Sequence, residues 1–152
     1  MYTEFAADTT DKIIGCAIEV HRHLGPGLLE SVYETALCLE LKSTGLSFVR
    51  QVGVPVFYKG ELIAEHRPDL VVSEKVIVEI KSVERFNPVF LAQMLTYLRI
   101  TGLRVGLILN FNRPVMMDGV RRVSLRDRDS LRLVCCFHRL TALRSGGLLG
   151  DA

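Results

Sequence analysis

The sequence has 152 residues, of which 49% are hydrophobic and 24% charged, and this composition excludes a disordered chain. No apolar run approaches the roughly 18 residues of a membrane span, and the acidic start excludes a secretory signal, so we expect a cytoplasmic protein without a membrane partner. The net charge of +2 is unevenly spread, because residues 1–84 hold 8 Lys and Arg against 13 Asp and Glu, whereas residues 85–152 hold 11 against 4. The basic half is typical of a nucleic-acid-binding surface or of an ordinary solvated surface.

The chain is predicted to begin with two helices. Apolar residues recur at helical spacing over residues 9–24, and Thr9 or Thr10 can cap this first helix. The Gly-Pro-Gly sequence at residues 25–27 breaks the chain before a second predicted helix over residues 28–43.

Strand-forming residues follow in three segments. They are rich in Val, Ile, Phe and Tyr, and they lie at residues 47–58, 62–72 and 76–83. In the third segment Val76, Val78 and Ile80 alternate with three residues that face the opposite side of the sheet. One face is therefore apolar, and the other face carries charged residues.

A third helix and a buried strand complete the predicted core. The helix covers residues 88–101, and the short apolar strand after it covers residues 103–110. Two edge strands are predicted at residues 119–125 and 131–137. The order α-α-β-β-β-α-β predicts an α/β fold with a mixed central sheet flanked by helices. We expect one domain over residues 1–144, followed by a frayed tail.

That tail covers residues 145–152 and is rich in glycine. The four cysteines include no C-x-x-C pair, so a structural zinc site is not expected.

The residues with the clearest chemical role lie on two neighbouring predicted strands. Glu79 and Lys81 are two residues apart, so they project from the same face of a strand. If residues 73–75 form the hairpin loop, Asp69 lies directly opposite Glu79 and the two carboxylates share that face. A two-residue loop would place them on opposite faces. The alternative to a functional pair is a surface cluster of ion pairs.

Adjacent carboxylates repel each other, and their oxygen atoms are ligands that suit Mg²⁺ or Mn²⁺. A divalent ion there could polarise a phosphodiester and activate water, and Lys81 could position that water or offset transition-state charge. Two further features accompany the pair: Glu30 near the start of the second helix, and Gln93 with Tyr97 on one face of the third. Each also has an ordinary interpretation, as a helix-dipole partner and as a half-exposed polar pair.

Over roughly residues 9–123 the sequence closely resembles the GxxExxY proteins of the PD-(D/E)XK nuclease superfamily. The resemblance is carried by residues 13–34, which include the spacing of Gly27, Glu30 and Tyr33, and by residues 102–112. Asp69 is preceded by Pro68, as in the superfamily motif. It implies a restriction-endonuclease-like α-β-β-β-α-β core and a metal-dependent nuclease that uses Mg²⁺ or Mn²⁺.

The resemblance also implies roles for particular residues. Asp69 and Glu79 would bind the metal together with the backbone carbonyl of Ile80, and Lys81 would be the catalytic lysine. Glu30 matches the helix-borne acid that completes the site in RecB-like members. Three further residues would support the site or contact nucleic acid: Gln93, Tyr97 and Tyr33.

The expected substrate is nucleic acid, with DNA favoured over RNA, and the expected reaction is hydrolysis of a phosphodiester by metal-activated water. A second hypothesis is a nucleic-acid-binding or regulatory module that keeps the nuclease fold but does not cut. A third is a protein-interaction domain whose charged residues form structural ion pairs. A chain of this size offers a narrow contact surface for DNA, so a homodimer is compatible with the sequence.

Overall fold

The computed structural model describes residues 6–125, which contain three α-helices and seven β-strands. The helices are α1 (Ala7–Leu24), α2 (Glu30–Ser43) and α3 (Val89–Thr101). The strands are β1 (Phe48–Arg50), β2 (Val54–Tyr58), β3 (Glu61–His66), β4 (Leu70–Val72), β5 (Val76–Lys81), β6 (Val105–Asn110) and β7 (Val120–Ser124). A 3₁₀ turn, Met116–Gly119, precedes β7.

Five of the strands form a mixed sheet in the order β1-β4-β5-β6-β7. The central pair β5 and β6 is parallel, and every other pair in this sheet is antiparallel. The elements α2, β1, β4, β5, α3 and β6 follow one another in the predicted α-β-β-β-α-β order, interrupted by the β2–β3 hairpin. The predicted fold, a restriction-endonuclease-like core with a mixed central sheet flanked by helices, is confirmed.

Two predicted strands were wrong in extent, because each divides in two. The segment 47–58 breaks at Gln51, whose φ of 50° lies in the left-handed region that a strand cannot continue through. The segment 62–72 breaks before Asp69, at Pro68, which has no backbone N–H to donate to a ladder. The second part of the first segment, β2, and the first part of the second segment, β3, pair with each other as a separate hairpin.

The predicted cap of the first helix was also wrong. Helix α1 begins at Ala7, with Ala6 at the N-cap position and no side-chain cap. The Thr10 hydroxyl instead donates a hydrogen bond to the backbone oxygen of Ala7. The N-cap therefore lies about one helical turn earlier than the predicted capping residues.

The sheet is covered on both faces, as its apolar strands require. Val76, Val78 and Ile80 of β5 pack into a core formed with α1 and α2, whereas Ile77 packs into a second core formed with α3. The alternation along the strand therefore turns Glu79 and Lys81 towards α3.

The predicted edge strand at residues 119–125 is confirmed as β7, which pairs with β6 at the edge of the sheet. The predicted strand at residues 131–137 and the tail at residues 145–152 lie outside the described residues. Among residues 6–125, no helix is both long enough and apolar enough to cross a membrane.

Candidate active site

The β4–β5 hairpin sets the geometry of the predicted carboxylate pair. Val72 pairs with Val76 across the three-residue loop 73–75, and the register continues to Leu70 opposite Val78. One step further along, Asp69 therefore faces Glu79. The three-residue loop on which the predicted pairing depended is confirmed.

Asp69 lies just before the first residue of β4, whereas Glu79 lies within β5, because β4 has three residues and β5 has six. The backbone N–H of Ile80 has no β4 partner at this level, and it donates to Asp69 Oδ2 at 2.7 Å. In return the backbone N–H of Asp69 donates to Glu79 Oε1 at 3.2 Å. Each carboxylate is thus fixed by the backbone of the other strand.

Burial and mutual repulsion make this pair costly to ionise. Glu79 is only 5% exposed, and its pKa is raised from 4.5 to about 7 by burial and then by the charge of Asp69. Burial likewise raises the pKa of Asp69 above its ordinary value. Lys81 opposes these effects, because its Nζ lies 3.5 Å from Glu79 Oε2. Two carboxylates in this state are stabilised in their ionised form by added positive charge.

Lys81 also begins a row in which two aromatic rings lie between two cations. Its Nζ lies 4.8 Å from the centre of the Phe90 ring, and Phe90 packs edge-on against Phe86 with their centres 5.5 Å apart. The guanidinium of Arg121 on β7 lies over the other ring at 5.5 Å. This cation–aromatic row leads from the carboxylate pair to the exposed edge of the sheet.

The predicted pair on α3 also lies beside the carboxylates. Gln93 Nε2 donates to the Tyr97 hydroxyl at 2.9 Å. Burial raises the pKa of Tyr97 to about 12, and the nearby charge of Glu79 contributes. The phenol therefore stays protonated at neutral pH and remains a donor beside the acids. The ring of His66 meets that of Tyr97 edge-on at 5.9 Å, which joins the β2–β3 hairpin to this region.

Glu30 lies at the first residue of α2, exposed at the surface. Its Oε1 accepts a hydrogen bond from the backbone N–H of Ser82 at 3.2 Å, and the Ser82 hydroxyl donates to the oxygen of Leu28 at 2.6 Å. Glu30 is therefore hydrogen-bonded to Ser82, the residue that follows Lys81, and not to either carboxylate of the pair. Within residues 6–125, no three His, Cys, Asp or Glu side chains are grouped closely enough to hold a metal ion.

Tyr33 is fully buried, so the structure favours its supporting role over contact with nucleic acid. Its hydroxyl donates to the oxygen of Gly25 at 2.5 Å and accepts from the N–H of Leu28 at 3.1 Å. Its ring stacks on Phe111 with the centres 4.4 Å apart. Tyr33 therefore holds the loop between α1 and α2, which leads directly to Glu30.

The sequence analysis missed a polar cluster next to Asp69, which consists of Glu34, Arg50 and Gln51. Glu34 of α2 is only 8% exposed, and its Oε1 accepts from Arg50 Nε at 2.9 Å. The amide of Gln51 donates to Glu34 Oε2 at 3.1 Å and to Asp69 Oδ1 at 3.2 Å. A signal was present, because Glu34 precedes Leu37 by three residues on the buried stripe of α2, where a carboxylate needs a partner.

A family model described as the PD-(D/E)XK nuclease superfamily matches residues 7–123, which is more than half of the chain. Comparison with curated proteins and with solved structures gave no match. The matched segment contains α1 to α3, the mixed sheet except the last residue of β7, and every residue of the site described above. The chain therefore belongs to the PD-(D/E)XK nuclease superfamily.

Proposed function

We propose that the protein is a metal-dependent nuclease that hydrolyses phosphodiester bonds in DNA with a metal-activated water. The observation that supports this most directly is the buried pair Asp69 and Glu79, hydrogen-bonded to each other's strands beside Lys81. A buried pair that is costly to ionise, set next to a lysine, is typical of a functional site. Membership of a nuclease superfamily indicates the reaction class.

The donor set fits a divalent cation. Asp69 and Glu79 supply carboxylate oxygens, and we propose that the Ile80 carbonyl adds a third oxygen ligand. Burial, and then the charge of Asp69, raises the pKa of Glu79 although Lys81 lies beside it, and a bound cation would favour the ionised carboxylate. Mg²⁺ or Mn²⁺, when bound, would provide Lewis-acid activation of the phosphodiester and of a water molecule. Glu30 would add a further carboxylate ligand to this set if its side chain gave up the hydrogen bond from the Ser82 N–H.

Lys81 lies where a residue that orients the attacking water is required, beside the carboxylate pair. Its side chain is only 15% exposed, and Glu79 holds its ammonium at 3.5 Å. A fixed ammonium with little exposure to solvent can orient a water molecule and offset negative charge that develops on the phosphate. Burial, followed by the charges of Glu79 and Asp69, raises the pKa of Tyr97, whose hydroxyl accepts a hydrogen bond from Gln93. We propose that this pair supports the arrangement of the two carboxylates.

The cation–aromatic row favours nucleic acid as the partner. It ends at Arg121, which is exposed on β7, in the basic half of the sequence. Arginine beside a catalytic site binds backbone phosphates. The preference for DNA comes from the resemblance to the GxxExxY proteins and the RecB-like branch.

We expect purified protein to cleave nucleic acid with Mg²⁺ or Mn²⁺ and to lose this activity when the ion is removed with EDTA. The measurement uses single-stranded, double-stranded and branched DNA together with RNA. An Asp69→Ala/Glu79→Ala double variant, purified in parallel, reports contaminating nuclease. Cleavage that persists in EDTA or in the double variant would contradict the proposal, and preferential cleavage of RNA would contradict the choice of substrate.

Replacing Arg121 by serine is expected to weaken DNA binding about 3- to 10-fold near 0.1 M salt and to reduce the salt dependence by about one phosphate contact. Fluorescence anisotropy of labelled DNA at several salt concentrations, in EDTA, measures both quantities. Arg99→Ser is the matched control, since Arg99 is exposed near the end of α3 and has no place in the cation–aromatic row. An unchanged salt slope in Arg121→Ser would exclude a phosphate contact.

A non-cleaving nucleic-acid-binding module on the same fold is the second candidate. It is favoured by the position of Glu30, which bonds to Ser82 rather than joining the carboxylate pair. This module would show salt-dependent binding on the same panel, with no cleavage in either metal.

A further inference from the structure

The backbone of Gln51 is held in an unusual conformation at the edge of the site. Its φ of 50° is uncommon for a residue with a side chain, and this conformation is unfavourable in free energy. Its N–H donates to the oxygen of Asp69 at 2.9 Å and extends the β1–β4 ladder by one bond. A strained conformation beside a functional site indicates that the position of the side chain matters.

The side chain of Gln51 fixes the Asp69 carboxylate from one side. Its amide nitrogen carries two hydrogens, and it bonds to Asp69 Oδ1 and to Glu34 Oε2. The other oxygen of Asp69 is already bound by the N–H of Ile80. Both carboxylate oxygens therefore have a fixed donor, so the carboxylate group cannot rotate freely about its bond to Cβ.

Glu34 and Arg50 hold the amide in place. Glu34 is buried and accepts from both Arg50 and Gln51, so its orientation is set from two directions. The positive charge of Arg50 balances Glu34, and the neutral amide lies between Glu34 and Asp69 without adding charge. This arrangement leaves the negative charge of Asp69 available to a cation.

We propose that Gln51 is the positioning residue of Asp69, and that Glu34, paired with Arg50, aligns it. The amide holds Asp69 in the orientation that binds the divalent ion, although Gln51 itself touches neither the metal nor the substrate. This inference depends on the proposed function, because it assigns a role within the same site.

The test replaces Gln51 by glycine in the full chain. Glycine accepts the left-handed backbone, so the variant removes the amide without adding strain. The affinity for Mn²⁺, measured by titration calorimetry without nucleic acid, is expected to fall 10- to 100-fold, the usual effect of losing a group that orients a metal ligand. In cleavage assays kcat should fall while KM for DNA changes little.

Lys59→Gly is the matched control, since Lys59 has nearly the same φ, 49°, in the β2–β3 turn. It should leave Mn²⁺ affinity and kcat unchanged. Gln51→Asn keeps an amide and tolerates the left-handed region, so it should recover part of the lost affinity. Wild-type affinity in Gln51→Gly, or a lower melting temperature with unchanged affinity, would show a merely structural role and overturn the inference. Failure of the wild type to bind Mn²⁺ would overturn the proposed function and this inference together.

Discussion

Lys81→Met is expected to lower kcat for DNA cleavage by about 10²–10³-fold, the usual loss when one fixed charge-stabilising group is removed from an active site. Methionine retains the apolar length of the lysine side chain and can keep its packing against Phe90. It removes the one feature of Lys81 that the proposed mechanism uses, a fixed ammonium beside Glu79. The loss should therefore appear in kcat rather than in KM.

Single-turnover cleavage under saturating Mg²⁺ measures this effect, and circular dichroism shows whether the variant is folded. Lys75→Met is a suitable control, since Lys75 is exposed in the loop of the same hairpin. Equal rates for Lys81→Met and the wild type would remove Lys81 from the mechanism. Equal losses in both variants would indicate a general effect of charge on DNA binding.

The part of the site that sequence predicted is the part that local geometry determines. The two-residue period of a strand places Glu79 and Lys81 on one face, and a three-residue loop places Asp69 opposite Glu79. Both relations act over a few residues, so they follow from the sequence once the loop is known. The i, i+4 contact between Gln93 and Tyr97 is local in the same way.

The contacts of Glu34 could not be predicted in this way. Glu34 is linked to Asp69 through the side chain of Gln51. Glu34 lies on α2, Gln51 follows β1, and Asp69 precedes β4. Their meeting depends on how α2 packs against the end of the sheet, which no local pattern specifies. Only the buried position of an acid on the apolar stripe of α2 indicated that a partner was needed.

The division of two predicted strands has a related cause. Residues 47–58 are rich in β-forming side chains along their whole length, so propensity alone predicts one strand. The break at Gln51 comes from its left-handed backbone, which the hydrogen bonds to Asp69 and Glu34 hold. The site thus interrupts the regular structure that the local sequence favours.

Replacing Glu79 by glutamine is expected to remove most of the pH dependence of the metal-free protein's stability between about pH 4.5 and 7. The pKa of Glu79 is raised from 4.5 to about 7 on folding, so the folded state binds the proton more tightly than the unfolded state. Its contribution is fully present below pH 4.5 and is lost as the pH rises towards 7. The difference of about 2.5 pKa units corresponds to roughly 3 kcal/mol in the free energy of unfolding.

Urea denaturation in EDTA across this pH range measures the effect, and Glu74→Gln, in the exposed hairpin loop, is the control. The wild type and Glu74→Gln should lose stability in parallel as the pH rises, whereas Glu79→Gln should lose less. Adding Mg²⁺ at pH 8 should restore stability to the wild type, since the ion binds only the folded, ionised pair. Parallel pH curves for Glu79→Gln and the wild type would show that Glu79 ionises normally, and would remove the electrostatic reason for a cation at this site.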